Sequence, residues 1–283
     1  MRGARLGRAT GEPGAGRGAP AGAVDVTAPG YVFAERGQHA AERFRCLAAA
    51  YDPVTLARLA RTGVRKGWHC LEVGAGGGSV AHWLAHRSGS VLATDLDPRH
   101  VPPAPGLVVR RHDVVLDPLC EGEFDLVHAR FVLAHLPERE AVLRKLVRSL
   151  RPGGWLQVDE FDKSYAPVLV APDAEAARCY REFTAAEERV RAAAGSAGEW
   201  GREVAASMVA AGLVDVDPVP VTQPWRADSP AVRLLVHHTH HLRDELVAAG
   251  MTDQDLHRVR EVLADPSFRA SSCVFYSVHG RRP

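Results

Sequence analysis

A glycine-rich segment is the feature of this sequence with the clearest chemical meaning. It runs from Leu71 to Ser79 and contains glycine at positions 74, 76, 77 and 78. Glycine lets the backbone turn sharply and come close to a ligand that a Cβ atom would hold away. The segment joins a predicted strand to a helix, whose first N–H groups and positive dipole end attract a carboxylate or phosphate. The pattern favours a nucleotide-type ligand, and its alternative is a tight strand-to-helix turn.

An acidic residue follows at a spacing that suits a ribose. Asp95 closes the next predicted strand, 21 residues beyond Gly74, where a carboxylate can accept both hydroxyls of an adenosine ribose. NAD-binding domains share that spacing, but their GxGxxG fingerprint requires glycine where this chain has Ser79. Glu72 would repel a pyrophosphate and could bind a cationic amino-acid group. The alternative role for Asp95 is a turn or helix cap.

Alternating elements must position these residues. Apolar runs predict strands, separated by helical segments, at Trp68–Val73, Val91–Asp95, Leu107–Arg111, Phe124–Ala129 and Trp155–Glu160. This alternation predicts a parallel sheet with helices on both faces. Two helices are expected before the sheet, one over 34–50 and one capped by Asp52 with Pro53 at its first position. Further helices are expected at about 173–193, 200–211 and 230–264, with strands at Val214–Val221 and Cys273–Val278.

Composition excludes several classes of protein. Lys and Arg number 35 against 34 for Asp and Glu, so the charge balance argues against nucleic acid as a partner. No apolar run approaches the roughly 18 residues of a membrane span. Five cysteines without a CxxC pair predict neither a disulfide framework nor a zinc knuckle, which suits a reducing cytoplasm. The oligomeric state leaves no signal in the sequence.

Five blocks of sequence, in order, resemble the class I S-adenosylmethionine-dependent methyltransferases. They are LEVGAGGGSVAHWLA (71–85), VLATDLDP (91–98), RRHDVV (110–115), FDLVHARFVLAHLPERE (124–140) and LRPGGWLQVDEFD (150–162). The resemblance implies an α/β, Rossmann-like sheet of seven strands, mostly parallel, with a reversed last strand. It also implies helical insertions, at about 163–200 and 228–268, over the cofactor cleft. Residues 67–283 would form this domain, after a disordered tail (1–30) and a helical segment (31–66).

The resemblance and the residue types together predict a binding site for S-adenosyl-L-methionine. Its predicted residues are Glu72, Gly74, Gly76, Asp95, Leu96, Asp113, Val114 and Arg130. By similarity, the two glycines line the methionine part, Asp95 holds the ribose, and Leu96 lies against the adenine. Asp113 would accept the adenine amino group, with a turn cap as its alternative role. Arg130 would face the methionine moiety or point away into a salt bridge.

No catalytic residue can be assigned from the sequence, because methyl transfer mainly requires proximity and alignment. Candidate bases, should the acceptor lose a proton, are His128, His135, Asp162, Tyr165 and the histidines at 237, 238, 240 and 241. His237 and His241 are one helical turn apart, but without a nearby Cys or an HExxH glutamate no metal site is predicted. Trp83, Trp155 and Trp200 could form a substrate cage, although packing is expected for the first two. Tyr31 could cover the cofactor.

The sequence therefore predicts a cytoplasmic methyltransferase that uses S-adenosyl-L-methionine and acts on a small organic acceptor. The near-neutral charge and the helical insertions, which could enclose a pocket, favour a small molecule over a macromolecule. Two alternatives remain at this point. One is a nicotinamide-dependent oxidoreductase, and the other is a methyltransferase-like binding protein without turnover.

Overall fold

A seven-stranded sheet forms the centre of the protein. In the computed structural model, which describes residues 40–283, the strand order is β3-β2-β1-β4-β5-β10-β7. The strands are β1 (His69–Val73), β2 (Ser90–Asp95), β3 (Leu107–Arg111), β4 (Phe124–Arg130), β5 (Leu150–Asp162), β7 (Val214–Val221) and β10 (Val274–Arg281). Only β10 runs against its neighbours, being antiparallel to both β5 and β7. The predicted mostly parallel sheet with a reversed last strand is confirmed.

Helices cover both faces of this sheet. The helices that pack on or around it are α1 (Ala40–Arg61), α2 (Ser79–Ser88), α3 (Arg139–Ser149) and α5 (Val204–Ala210). On one face, Leu59 of α1 and Leu84 of α2 join Cys70 and Leu126 in one buried cluster. On the other face, α3 and α5 pack against apolar side chains from β1, β4 and β5. Parallel strands buried on both sides explain the continuous apolar runs in the sequence.

The first helix differs from its prediction. The sequence predicts two helices, the second capped by Asp52, whereas α1 continues through Pro53 as one helix. The Asp52 carboxylate does not cap a helix, because its Oδ1 atom pairs with Arg130 and accepts from Ser79. Proline removes one helical hydrogen bond, but Tyr51 and Thr55, on either side of it, are both buried. Tertiary packing therefore holds the helix together across the proline.

The two insertions form a layer beside the sheet. They contain α4 (Ala174–Ala193), α6 (Pro230–His241), α7 (Arg243–Ala248) and α8 (Asp253–Ala264). The helical region expected over 230–264 is divided into three helices. The insertions also hold a small sheet that the sequence did not predict, with the order β6-β9-β8. Its strands are β6 (Val168–Val170), β8 (Pro224–Arg226) and β9 (Arg269–Ser271).

The predictions for the amino-terminal region fall mostly outside the described part of the chain. The tail at 1–30, the start of the first helix at position 34 and Tyr31 all lie there. Within residues 40–283, no helix combines the length and apolar character needed to cross a bilayer.

The α3 face of the core gives a direct test of this packing. Leu143 is fully buried and Leu116 is 79% exposed. We expect Leu143→Ala to lower the free energy of unfolding by about 2–5 kcal/mol, since it removes packed methyl groups and leaves a cavity. Leu116→Ala should change it by less than about 0.5 kcal/mol. Chemical denaturation of both variants measures the difference, and equal losses would contradict this packing.

Candidate functional site

A large cavity lies at the carboxyl ends of the parallel strands. Its volume is about 1610 Å³, above the roughly 300–1,000 Å³ of pockets for single drug-sized ligands. The residues after β1, β2, β4 and β5 line it, together with one face each of α1, α4 and α6. Open α/β sheets bind ligands at this edge. All eight residues predicted to bind the cofactor lie on this one cavity.

The glycine loop brings bare backbone to the cavity. Gly74 and Gly76 have φ angles of 67° and 52°, in the left-handed region that favours glycine. A Cβ atom on Gly74 would collide with the Val132 side chain, and one on Gly76 would lie 2.9 Å from Cε1 of Phe44. The loop is therefore packed between α1 and the segment after β4, and it accepts no larger residue at either position.

Asp95 lies at the end of β2, beside the glycine loop. Its Oδ2 atom accepts a hydrogen bond from the Gly76 N–H (2.8 Å), and its Oδ1 atom accepts one from the Asp97 N–H (2.9 Å). Burial raises the pKa of Asp95, and these two donors oppose the shift. The second bond is a turn cap, so the alternative role considered for Asp95 is present. Each oxygen retains capacity for a further donor, and Leu96 lines the cavity next to it.

Asp113 has a clear structural role in the turn after β3. Its Oδ1 atom accepts from the N–H groups of Val115 (2.8 Å) and Leu116 (3.2 Å). Asp113 therefore caps this turn, as its alternative role predicted, while Asp113 and Val114 also line the cavity. Lys145 of α3 donates to three carbonyl oxygens of the same turn, which fixes the wall of the cavity there.

Arg130 forms the salt bridge that was its alternative role, and it also lines the cavity. It lines the cavity at the end of β4, and its Nη1 atom lies 2.8 Å from Oδ1 of Asp52 and 3.1 Å from the hydroxyl of Thr55. Ser79, the first residue of α2, donates to the same Asp52 oxygen (3.2 Å). Helix α1 thereby connects β4 to the start of α2 through two polar side chains, which sequence reasoning did not identify.

Glu72 belongs to a buried polar network that also contains His128 and Asp159. Its Oε2 atom is 2.7 Å from Nδ1 of His128, its cross-strand neighbour, and Nε2 of His128 is 3.3 Å from Oδ2 of Asp159. Both ring nitrogens face carboxylate oxygens, so both act as donors and the ring is an imidazolium. The two carboxylates outweigh desolvation and raise the pKa of His128 to about 9.

Asp159 joins this network to α1 and β10. Its carboxylate accepts from the hydroxyls of Thr55 (2.6 Å) and Ser277 (2.6 Å) and from the Gln157 amide. These hydrogen bonds and His128 hold the pKa of Asp159 below its usual value, against the effect of burial. Because Thr55 also contacts Arg130, an unbroken polar chain leads from Glu72, before the glycine loop, to Ser79 after it.

A second group of residues on the cavity comes from α1, α4, β8 and the ends of β4 and β5. We call this part the acceptor chamber and define it by the rings of Tyr51, Phe131, Phe161, Tyr180 and Trp225 together with Lys163 and Glu187. Sequence reasoning missed all of them. The available signal was the spacing of residues 180, 184, 187 and 191 along one face of α4.

Glu187 is the charged centre of the acceptor chamber. Its Oε1 atom lies 2.7 Å from Nδ1 of His238 and accepts from Arg191 (3.2 Å). Arg191, Lys163 and His238 keep the pKa of Glu187 low despite its burial. Burial lowers the pKa of His238 to about 4, so its ring is neutral at pH 7.

The candidate bases are distributed over different environments. His135 and Tyr165 line the cavity, and burial together with Arg191 and Lys163 lowers the pKa of His135 to about 3, which makes the ring a weak proton acceptor. His128 is fully buried within the sheet and does not reach the cavity. Asp162 pairs with Arg202 instead. Of the four clustered histidines only His238 lines the cavity.

The three tryptophans proposed for a cage do not line the cavity. Trp83 lies beneath the Arg87 guanidinium and Trp155 packs edge-on against His279. Trp200 is buried and donates to Glu140. All three therefore serve packing.

One group in the described part of the chain has the donor atoms for a metal ion. Glu42, Cys46 and His237 have ligand-type atoms within 4.8 Å of one another. Glu42 is already paired with Arg45 and accepts from the Cys46 thiol. His241 is not part of this group, so the two histidines one turn apart do not form a site together.

Comparison with known proteins agrees with this geometry. Residues 71–158 match the model of a methyltransferase domain family. Methyltransferase str3 of Strobilurus tenacellus is 40% identical over 100 residues, which cover 34% of this chain and 36% of that protein. The ubiquinone/menaquinone biosynthesis C-methyltransferase UbiE of Cupriavidus taiwanensis is 30% identical over 126 residues, covering 41% and 52%. The matches thus span about a third to a half of these relatives.

Solved structures share the fold at low sequence identity. The YcgJ protein of Bacillus subtilis superposes with a TM-score of 0.54 at 15% identity, covering 81% of this chain and 97% of that one. Phosphoethanolamine N-methyltransferase 2 of Haemonchus contortus, solved with S-adenosyl-L-methionine, gives a TM-score of 0.50 at 15% identity, covering 82% and 53%. Strand order, glycine loop and cleft define a Rossmann-like ligand-binding domain. Over residues 71–158 the chain is similar to methyltransferase domains.

Two glycine-to-alanine variants separate the steric effect of a Cβ atom at Gly74 from the effect of its left-handed backbone conformation. Gly63 also has a positive φ, but a Cβ atom there would meet nothing within 4 Å. We expect Gly63→Ala to lower the free energy of unfolding by about 1–2 kcal/mol, from the left-handed conformation alone. Gly74→Ala should lose about 1–3 kcal/mol more, because its Cβ collides with Val132. Denaturation curves of both variants measure this, and equal losses would exclude the collision.

The charge of His128 should make its contribution to stability depend on pH. Its pKa of about 9 in the folded protein exceeds the ordinary value of about 6.5. The stabilisation is therefore fully present below about pH 6.5 and is lost as the pH rises through about 9. We expect the difference in unfolding free energy between wild type and His128→Gln to shrink between pH 6 and pH 10. The exposed His86, changed to Gln, is the control, and a pH-independent difference for His128→Gln would contradict the imidazolium.

Proposed function

We propose that this protein transfers a methyl group from S-adenosyl-L-methionine to a small organic acceptor. The observation that carries the proposal is the cavity itself. One continuous space of about 1610 Å³ joins the glycine loop and Asp95 to a separate chamber lined by aromatic rings. A cofactor and an acceptor can therefore occupy it side by side, which is the arrangement that transfer between them requires.

The residues around the glycine loop fit this cofactor chemically. Gly74 and Gly76 bring bare backbone to this part of the cavity, which a ligand can approach closely. The Asp95 carboxylate uses each oxygen once and can accept ribose hydroxyls with its remaining lone pairs. The Arg130 guanidinium has five N–H donors, so its contacts with Asp52 and Thr55 leave others for a carboxylate. Glu72, on the same wall, suits an ammonium group.

When bound, the cofactor supplies a methyl group on a positively charged sulfur atom. The chain's own contribution is to bind, orient and exclude water. The polar chain from Glu72 to Ser79 fixes both ends of the glycine loop before any ligand arrives. Helices α4 and α6 each line the acceptor chamber with one face. We assign no residue the role of a general base for methyl transfer.

A cavity of this kind suits a small molecule as the acceptor, and the near-neutral charge of the sequence disfavours nucleic acid. Ser79 stands in place of the third fingerprint glycine, which disfavours a nicotinamide dinucleotide. The Ser79 hydroxyl donates a hydrogen bond to Asp52. The five cysteines are all free thiols. Free thiols support our proposal that the protein works in the cytoplasm.

The Asp95 carboxylate provides the most direct test. We expect Asp95→Asn to weaken binding of S-adenosyl-L-methionine by about 100-fold, because a hydrogen bond to a charged group contributes about 1.5–3 kcal/mol. Isothermal titration calorimetry with S-adenosyl-L-methionine and S-adenosylhomocysteine measures this.

Asp265→Asn is the matched control. Asp265 ends α8, does not line the cavity, and accepts from the Ser267 N–H and hydroxyl, so its substitution should leave the affinity unchanged. Absence of binding to the wild-type protein would overturn the proposed function, and NADH titration would then test the nicotinamide alternative.

A further inference from the structure

A thiol, a carboxylate and an imidazole meet where α1 packs against α6. Glu42 and Cys46 are four residues apart on α1 and share one face of the helix, and the Cys46 thiol donates to Oε1 of Glu42 at 3.7 Å. His237 approaches them from α6, and one ligand-type atom of each residue lies within 4.8 Å of the other two. We call these three residues the α1–α6 cluster. None of the three lines the cavity, so the cluster is separate from the site described above.

Apolar packing holds together the two helices that carry the α1–α6 cluster. Ala50 and Tyr51 of α1 share one buried apolar core with Val232 and Leu235 of α6. Close-packed cores resist the relative movement of their elements. Ligands carried by packed helices are also positioned more precisely than ligands carried by loops. The three side chains therefore meet because of the fold, and no metal ion is needed to bring the two backbones together.

The separations within the α1–α6 cluster suit a four-coordinate metal ion. Zinc binds sulfur at about 2.3 Å and nitrogen or oxygen at about 2.0–2.2 Å in a tetrahedral arrangement, which places neighbouring ligand atoms roughly 3.3–3.6 Å apart. The Cys46 Sγ and Glu42 Oε1 atoms are already 3.7 Å apart. The His237 nitrogen lies within 4.8 Å of both. Rotation of the His237 side chain can close the remaining gap, which is roughly 1.5 Å or less.

The ligand atoms of the α1–α6 cluster favour zinc over other common metal ions. Mg²⁺ and Ca²⁺ prefer oxygen ligands throughout, whereas a thiolate together with an imidazole and a carboxylate is typical of zinc. A thiol must lose its proton before it coordinates a metal. Burial and the neighbouring Glu42 raise the pKa of Cys46, so the thiol is protonated before an ion arrives. The cluster is therefore a zinc-type ligand set with one thiol proton to release.

Two arginines border the α1–α6 cluster, and each has a partner of its own. Arg45 pairs with Oε2 of Glu42, which leaves Oε1 directed at the thiol. Arg233, one turn before His237 on α6, donates twice to the Asp228 carbonyl oxygen. The Glu42 side chain is 34% exposed and His237 is half-buried. An ion can therefore enter the cluster from solvent.

We propose that the α1–α6 cluster binds one Zn²⁺ ion through the Cys46 sulfur, a His237 ring nitrogen and the Glu42 Oε1 atom, with water as the fourth ligand. As the zinc–sulfur bond forms, the S–H bond breaks and its proton goes to solvent, without any oxidation. The ion joins the start of α1 to α6. Phe44 of α1 packs on the glycine loop and α6 lines the acceptor chamber, so the ion stabilises two walls of the cavity. This zinc site does not depend on the proposed function.

Cobalt(II) is the probe for the test, because it accepts the same ligands as zinc and a cobalt–thiolate bond gives a near-ultraviolet charge-transfer band. We expect the full, reduced chain to bind one Co²⁺ ion with this band, and Zn²⁺ to displace it. Cys46→Ala should abolish the band, and His237→Gln should weaken Zn²⁺ binding by about 100-fold. At about 100 times its dissociation constant, Zn²⁺ should raise the midpoint of thermal unfolding of the wild type by about 5 °C.

Two variants serve as matched controls. His241→Gln changes a histidine one turn further along α6 that is not part of the cluster, and Cys120→Ala removes an exposed free thiol. Both should keep the cobalt band and the Zn²⁺ affinity of the wild type. Circular dichroism of each metal-free variant shows whether the fold is retained. Because His237 is half-buried, His237→Gln provides the test even if Cys46→Ala fails to fold.

The zinc assignment is wrong if the wild type gives no cobalt–thiolate band, or if the band persists in Cys46→Ala or disappears in Cys120→Ala. It is also wrong if His237→Gln binds Zn²⁺ as tightly as the wild type. Calorimetry with S-adenosyl-L-methionine keeps the two proposals distinct. If zinc binds as expected and the cofactor does not bind, the zinc site stands and the proposed function falls.

Discussion

The His128 imidazolium, buried between the carboxylates of Glu72 and Asp159, is the interaction on which the rest of the site depends. Charges in an apolar interior are costly unless they are paired and hydrogen-bonded. Here the pairing spans neighbouring strands, because Glu72 is on β1, His128 on β4 and Asp159 on β5, with Ser277 of β10 completing the set. Four adjacent strands are thereby held in one register beneath the glycine loop.

This network also determines where α1 lies. Thr55 donates to Asp159, and Gln157 donates to the Thr55 carbonyl, so one turn of α1 is attached to the sheet at its centre. Asp52, one turn earlier, then meets Arg130 and Ser79. Phe44, near the start of the same helix, packs on the glycine loop. A single helix that precedes the first strand of the sheet thus forms one side of the cavity.

Different interactions stabilise the acceptor chamber. Its buried polar groups are paired around Glu187, and its walls include the packed rings of Tyr51, Phe131 and Phe161. In such surroundings an electrostatic contact is stronger than in water. A few fixed donors can therefore orient a ligand in this part of the cavity.

The sequence by itself determined the sheet, the glycine loop and the cleft residues from Glu72 to Arg130, because local periodicity and chain order fix which residues lie at the carboxyl ends of the strands. It could not determine that α1 passes through Pro53, or that Asp52 pairs with Arg130 instead of capping a helix. It also missed the small sheet and the meeting of Lys163, Glu187 and His238. Those features join residues far apart in the chain, and only tertiary packing decides which distant side chains meet.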